Sequence, residues 1–191
     1  MPEPNNRELL KDIAAGNAPA LRMLYSRISD RVYNTALSYV QNEADAEEIT
    51  QDVFTKVWRS AGSFKAESQV TTWVYRITVN TSITALKKRE RRGLFSALSP
   101  REKEVPDFHH PYALMEDWET NRVLFSAIYR LPDRQKTAFV LSYVEELPRQ
   151  QVAEIMSLSL KAVESLLMRA KKGLRTGLTT NYPYRGKANA K

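Results

Sequence analysis

Apolar residues recur every three or four positions through most of this chain, the spacing that gathers them on one face of a helix. Between Ala20 and Val40 the series is Leu21, Leu24, Ile28, Val32, Ala36 and Val40. A second series, Ile49, Val53 and Val57 with Phe54 and Trp58 alongside, follows Asp45, Glu47 and Glu48, acids that complement the positive end of a helix dipole; Gly62 closes it. Residues 70–86 are rich in Val, Ile and Thr and would form a strand on propensity alone. Their period argues otherwise. Val70, Trp73, Val74, Ile77, Thr81 and Thr84 step by three and four, and the segment continues into the helix-favouring ALKKRERR, so one helix is predicted to about Arg92.

The period breaks between Gly93 and Tyr112, where Gly93, Pro100, Pro106 and Pro111 mark an expected flexible linker. It returns in Trp118, Arg122, Phe125, Ile128 and Tyr129, stops at Leu131 and Pro132, and resumes through Ala138, Leu141 and Val144. Pro148 suits a first helical turn, with Val152 and Ile155 as the apolar side of a short helix. Ser159 is a candidate N-cap for a last helix whose apolar stripe is Val163, Leu166, Leu167, Ala170 and Leu174. The tail after Gly177 has no period and is expected to be disordered. These elements predict an all-α fold of two small helical domains: an N-terminal extension over 1–19, a first domain over 20–92, a linker over 93–115, a second domain over 116–178 and a basic tail over 179–191.

Charge sharpens this outline. Lys and Arg number 29 against 22 Asp and Glu, a net charge of +7, which favours a polyanionic partner without requiring one. The acids crowd from Glu43 to Asp52 and the bases from Lys87 to Arg92 and from Arg169 to Arg175, so different faces suit different partners. There is no cysteine, which removes disulfides and thiolate sites and fits reducing cytoplasm. Met1 to Ala20 carries Glu3, Glu8, Lys11 and Asp12 with no apolar run, unlike a signal peptide, and no segment reaches membrane-spanning length, so no membrane insertion is expected.

Three constellations carry candidate chemistry. Leu147 to Arg175 has helix-turn-helix spacing, a short helix, a turn over Met156 to Leu158 and a longer basic helix suited to the major groove; a plain helical hairpin is the alternative. Phe64, Lys65, Trp73, Tyr75 and Arg76, followed by Lys87, Lys88, Arg89, Arg91 and Arg92, interleave aromatics with bases as single-stranded nucleic acid requires; the alternative is core aromatics beside a solvated face. The helix opening DAEEITQDVF offers either dipole complements or a surface for a basic protein. His109 and His110, near Asp107, lack a third ligand, and no phosphate-binding glycine loop, HExxH or nucleophile elbow is present. Neither a metal, a cofactor nor a catalytic residue is expected, and the chain does not read as an enzyme.

The order of these pieces resembles the extracytoplasmic-function sigma factors, the smallest class of the bacterial sigma family. The resemblance runs from about Ala20 to Arg175 and rests on DAEEITQDVFTKVW, TTWVYRITVN, LPDRQKTAFVLSYVEELPRQQVAEIM and AVESLLMRAKKGLR. It implies a factor that brings core RNA polymerase to promoter DNA and helps melt it, with an anti-sigma protein as a further partner and a linker that passes toward the polymerase cleft. Asp45, Glu48, Gln51 and Asp52 would then dock on the largest polymerase subunit. Phe64, Lys65, Trp73, Tyr75, Arg76 and Asn80 would hold the melted minus-ten strand, and Lys87, Lys88, Arg91 and Arg92 its phosphates. Arg149 and Gln150, with Lys161, Glu164, Ser165, Met168 and Arg169, would read the minus-thirty-five duplex. Two positions depart from the family pattern: Ser157 stands where many members have glycine in the turn, and Glu164 where a base is common.

Overall fold

A computed structural model describes residues 3–95 and 118–181. All regular elements among them are helical, and the chain divides into two compact units, Met1–Pro106 and Asp107–Lys191. The first holds α1 (Asn6–Ala14), α2 (Ala18–Val40), α3 (Glu43–Ser60), a single 3-10 turn (Ala61–Ser63) and α4 (Val70–Phe95). The second holds α5 (Trp118–Tyr129), α6 (Asp133–Phe139), a π-helical turn (Val140–Val144), α7 (Arg149–Met156) and α8 (Leu160–Asn181).

In the first unit α2, α3 and α4 pack on one another, α2 and α3 through the faces that the spacing predicts; α4 instead buries Tyr75, Thr78, Val79 and Ser82 and leaves Trp73 and Ile77 half-buried and Thr84 exposed, a face turned away from the expected one. Leu24, Ile28 and Val32 from α2, Ile49, Val53 and Val57 from α3, and Val70, Val74 and Leu86 from α4 are all buried. The Thr- and Ser-rich stretch of α4 stays helical because its hydroxyls turn back onto the helix. Thr78 and Ser82 donate to the carbonyls of Val74 and Thr78 at 3.0 and 2.9 Å, and Thr81 and Thr84 to those of Ile77 and Asn80 at 2.7 Å. Thr78, Thr81 and Ser82 are thereby buried without leaving a hydroxyl unpaired.

The expected N-terminal extension is instead part of this unit. Asn5 caps α1 by accepting from the amides of Arg7 and Glu8, and Glu8 returns the bond to the Asn5 amide at 2.7 Å, a complete capping box. Leu9, Leu10 and Ile13 are at most 2% exposed. Arg27 of α2 fixes the segment from the other side, donating to the Pro4 carbonyl at 2.7 Å and pairing with Glu3 at 3.1 Å.

In the second unit Ile128, Ala138, Leu141, Val152, Val163, Leu167 and Ala170 make the core. Pro132 and Pro148 each occupy the N-cap, one position before the first turn, with φ of −53° and −55°. The helix expected to continue through Val144 widens from Val140 onward: the Glu145 amide reaches the Val140 carbonyl at 3.0 Å, a five-residue span. Most of the expected linker and tail lies outside the described residues, as do His109, His110 and Asp107. Where the description reaches, α4 continues through Phe95 and α8 through Asn181, past both expected ends.

Candidate nucleic-acid interface

Asn42 starts α3 by accepting from the Asp45 amide at 2.9 Å, so the acids that follow sit at the positive end of the helix. Asp45, Glu48 and Asp52 step by three and four and share one wall of a groove of about 230 Å³; Lys88 and Arg89 of α4 stand on the other. Arg89 crosses it, donating to Asp45 at 3.2 Å and to the Val40 carbonyl at 3.4 Å. Lower in the groove the Lys56 ammonium donates to the Thr81 hydroxyl at 2.8 Å. Glu48, Gln51 and Asp52 are exposed and Asp45 half-buried, and Gln51 lies outside the groove lining.

The loop into α4 carries Phe64, whose ring meets Trp73 with centroids 5.5 Å apart and planes tilted by 58°. Both residues are half-buried, and Lys65 beside them is exposed. Successive residues turn by about 100° on a helix, which places Trp73, Arg76, Asn80, Lys87 and Arg91 within a sector of about 60°, with Lys88 about 60° beyond it. Asn80, Lys87, Lys88 and Arg91 are exposed and Arg76 half-buried; the Arg92 side chain lies outside the described residues. Tyr75 is about 200° from Trp73 on the same helix. It is only 6% exposed and sits against Ile28, Val32 and Val74, so the structure takes this one aromatic out of the candidate strand-binding set: it is core.

The second unit has a tight turn between α7 and α8. Ser157 takes φ 53°, ψ 46°, the Ser157 amide donates to the Glu154 carbonyl at 3.2 Å and the Leu158 amide to the Ala153 carbonyl at 2.9 Å. Ser159 then caps α8 by accepting from the Ala162 amide at 3.2 Å. On α8 the buried Val163, Leu167, Ala170 and Leu174 cover one side. Lys161, Glu164, Ser165, Met168 and Arg169 spread over a sector of about 140° on the other. Met168 is 67% exposed, Lys161, Glu164 and Arg169 are exposed, and Ser165 is half-buried. Gln150 at the start of α7 is exposed and Arg149 half-buried.

Sequence reasoning passed over Tyr143, which Arg149 covers: the guanidinium lies 4.6 Å from the ring centroid and donates to the phenol oxygen at 2.8 Å. The Lys171 ammonium is 4.8 Å from the same centroid. Lys171 first, and then Arg149, hold the phenol below its ordinary pKa of 10.0 against the opposing effect of burial. Tyr143 lies within the π turn, and no periodic signal announces its place beside Arg149 and Lys171.

Residues 24–92 match the family model for sigma-70 region 2, and residues 122–174 match that for sigma-70 region 4. The chain is 31% identical over 174 residues to the ECF RNA polymerase sigma-E factor of Haemophilus influenzae, covering 87% of this chain and 92% of that one. With the ECF RNA polymerase sigma-E factor of Escherichia coli K12 it shares 28% over 173 residues, covering 87% and 90%. Among solved structures, the sigma factor RpoE of Bartonella quintana, co-crystallised with the anti-sigma factor NepR, superposes with a TM-score of 0.67 at 21% identity, over 83% of this chain and 96% of that one.

Proposed function

The chain belongs to the extracytoplasmic-function sigma factors, which direct RNA polymerase to specific promoters, and we propose a division of that work between its two units. The first unit binds core polymerase through Asp45, Glu48, Gln51 and Asp52 of α3, and takes the melted minus-ten strand on Phe64, Trp73 and the basic stripe of α4. The second unit lays α8 in the major groove of the minus-thirty-five element, with Lys161, Glu164, Ser165, Met168 and Arg169 toward the bases.

The observation that carries this reading is the stripe on α4. A half-buried aromatic pair leads into a line of Arg76, Asn80, Lys87 and Arg91, the combination of aromatic surface and positive charge that a single strand needs. Opening duplex and unstacking a base cost a few kcal/mol, which such contacts offset. The chain supplies binding and positioning, and the polymerase performs the chemistry. It works in the cytoplasm, where polymerase and promoter are; among the described residues no helix is long and apolar enough to cross a membrane. An anti-sigma protein is a further partner, a reading supported by the co-crystallised Bartonella relative.

Fluorescence anisotropy with labelled full-length chain tests the division of labour. The triple variant Asp45→Lys, Glu48→Lys, Asp52→Lys is expected to lose at least tenfold in affinity for core polymerase while still binding duplex DNA. Normal polymerase binding by that variant would remove α3 from the docking surface.

A further inference from the structure

Arg149 and Lys171 come from different helices, α7 and α8, yet both lie over Tyr143. Two cations within 5 Å of one ring centroid repel each other, and nothing in simple helix packing requires that arrangement. The ring offsets part of the cost, because its negative face attracts both charges, and the phenol oxygen accepts from Arg149 at 2.8 Å. Phe139 backs the ring from α6 with centroids 4.9 Å apart, so the shelf that carries the cations is itself fixed. The Arg149 Nη1 atom is buried among protein atoms and pairs with no protein acceptor among the described residues, so the guanidinium adds an unneutralised, partly desolvated charge to the pair at the ring.

We infer that Tyr143, Arg149 and Lys171 form one anion site that holds a backbone phosphate of the duplex read by α8, with Tyr143 as the positioning residue. The site rests on the reading of the second unit as a duplex-binding module. It adds Tyr143, which lies outside α8, and Lys171, at the border of the α8 sector turned to the bases, and gives them work that sequence content does not change: a phosphate contact fixes register while base contacts specify. The ring fixes both cations before DNA arrives, so little side-chain freedom is lost on binding. Tyr143 is 38% exposed, Lys171 is exposed and Arg149 half-buried, so the site is open to a phosphate from the Lys171 side.

Binding of the full-length chain to a short duplex of mixed sequence, measured across a salt series, tests the site. Each phosphate contact contributes about one unit to the slope of log affinity against log salt. Arg149→Gln and Lys171→Gln are each expected to weaken binding about three- to tenfold and to flatten the slope by about one. The decisive variant is Tyr143→Leu, which removes no charge yet is expected to flatten the slope by a similar amount. Tyr143→Phe keeps the ring and is expected to recover the slope while retaining about a twofold affinity loss from the missing hydroxyl.

A slope unchanged from the parent in Tyr143→Leu would overturn the site. If that variant fails to fold, Arg149→Gln and Lys171→Gln carry the test with the ring intact, and unchanged slopes there overturn it equally. Lys161→Gln and Arg169→Gln separate this site from the reading beneath it. If they flatten the slope and the three site variants do not, the phosphate site is wrong and α8 still binds duplex; if none of the five does, both fail.

Discussion

Arg89 near the end of α4 lies 3.2 Å from Asp45 in the first turn of α3, so the acidic face of α3 and the basic end of α4 meet at an ion pair. The two side chains are 48% and 42% exposed, and a pair so open to water contributes less than about 1 kcal/mol. Arg89→Ala is therefore expected to change the unfolding free energy by under about 1 kcal/mol and to leave polymerase affinity within about threefold. Asp45→Lys alone, by contrast, should lower that affinity clearly. Urea titration and polymerase binding on the same preparations check both statements.

Trp73 and Tyr75 are two residues apart and answer to different forces. Trp73→Ala removes a stacking face, worth about 1–3 kcal/mol per base, and is expected to slow promoter opening tenfold or more with the fold retained. Tyr75→Ala empties a core position and is expected to lower stability by about 3–5 kcal/mol. Opening followed by a fluorescent base analogue, set beside thermal unfolding, separates the two; an opening defect in Tyr75→Ala at full stability would contradict the core assignment.

Ser157 holds a left-handed conformation at φ 53°, which costs a non-glycine residue roughly 1 kcal/mol. Its side chain is exposed, so glycine there loses no packing. Ser157→Gly is expected to stabilise the second unit by about 0.5–1 kcal/mol, read as a higher urea midpoint with the same slope. A lower midpoint would show that the serine side chain contributes something the backbone geometry does not.

Leu10 tests whether α1 belongs to the first unit energetically as well as geometrically. It is 2% exposed, and Leu10→Ala is expected to cost about 2–5 kcal/mol. A cost below about 0.5 kcal/mol would return residues 6–14 to the status of an appended segment.

How far these features were legible in the sequence depended on the physical signal each one leaves. The long helices were plain because burial on one face imposes a period, and in α4 that period overrode the strand propensity of its Val, Ile and Thr residues. The capping box of α1 was also written in the sequence as Asn5 to Glu8, followed by Leu9, Leu10 and Ile13, but a nine-residue helix supplies too few repeats to stand out. The π turn could not be read, since the wider hydrogen bonding over Val140–Val144 leaves no mark of its own in the apolar spacing. Tyr143 was hidden with it. Tyr75 shows the remaining limit: composition placed it among strand-binding aromatics, whereas helical phase, two residues from Trp73, sends it to the core.

As a sigma factor, this chain confers promoter specificity on RNA polymerase. Run-off transcription with purified bacterial core polymerase, with and without the full-length chain, on a matched set of genomic promoter fragments tests it most directly. The expected result is initiation at a defined start site on a subset of fragments, present only when both proteins are added and abolished by Asp45→Lys, Glu48→Lys, Asp52→Lys. Absence of promoter-specific transcripts, together with no binding to core polymerase, would contradict the account.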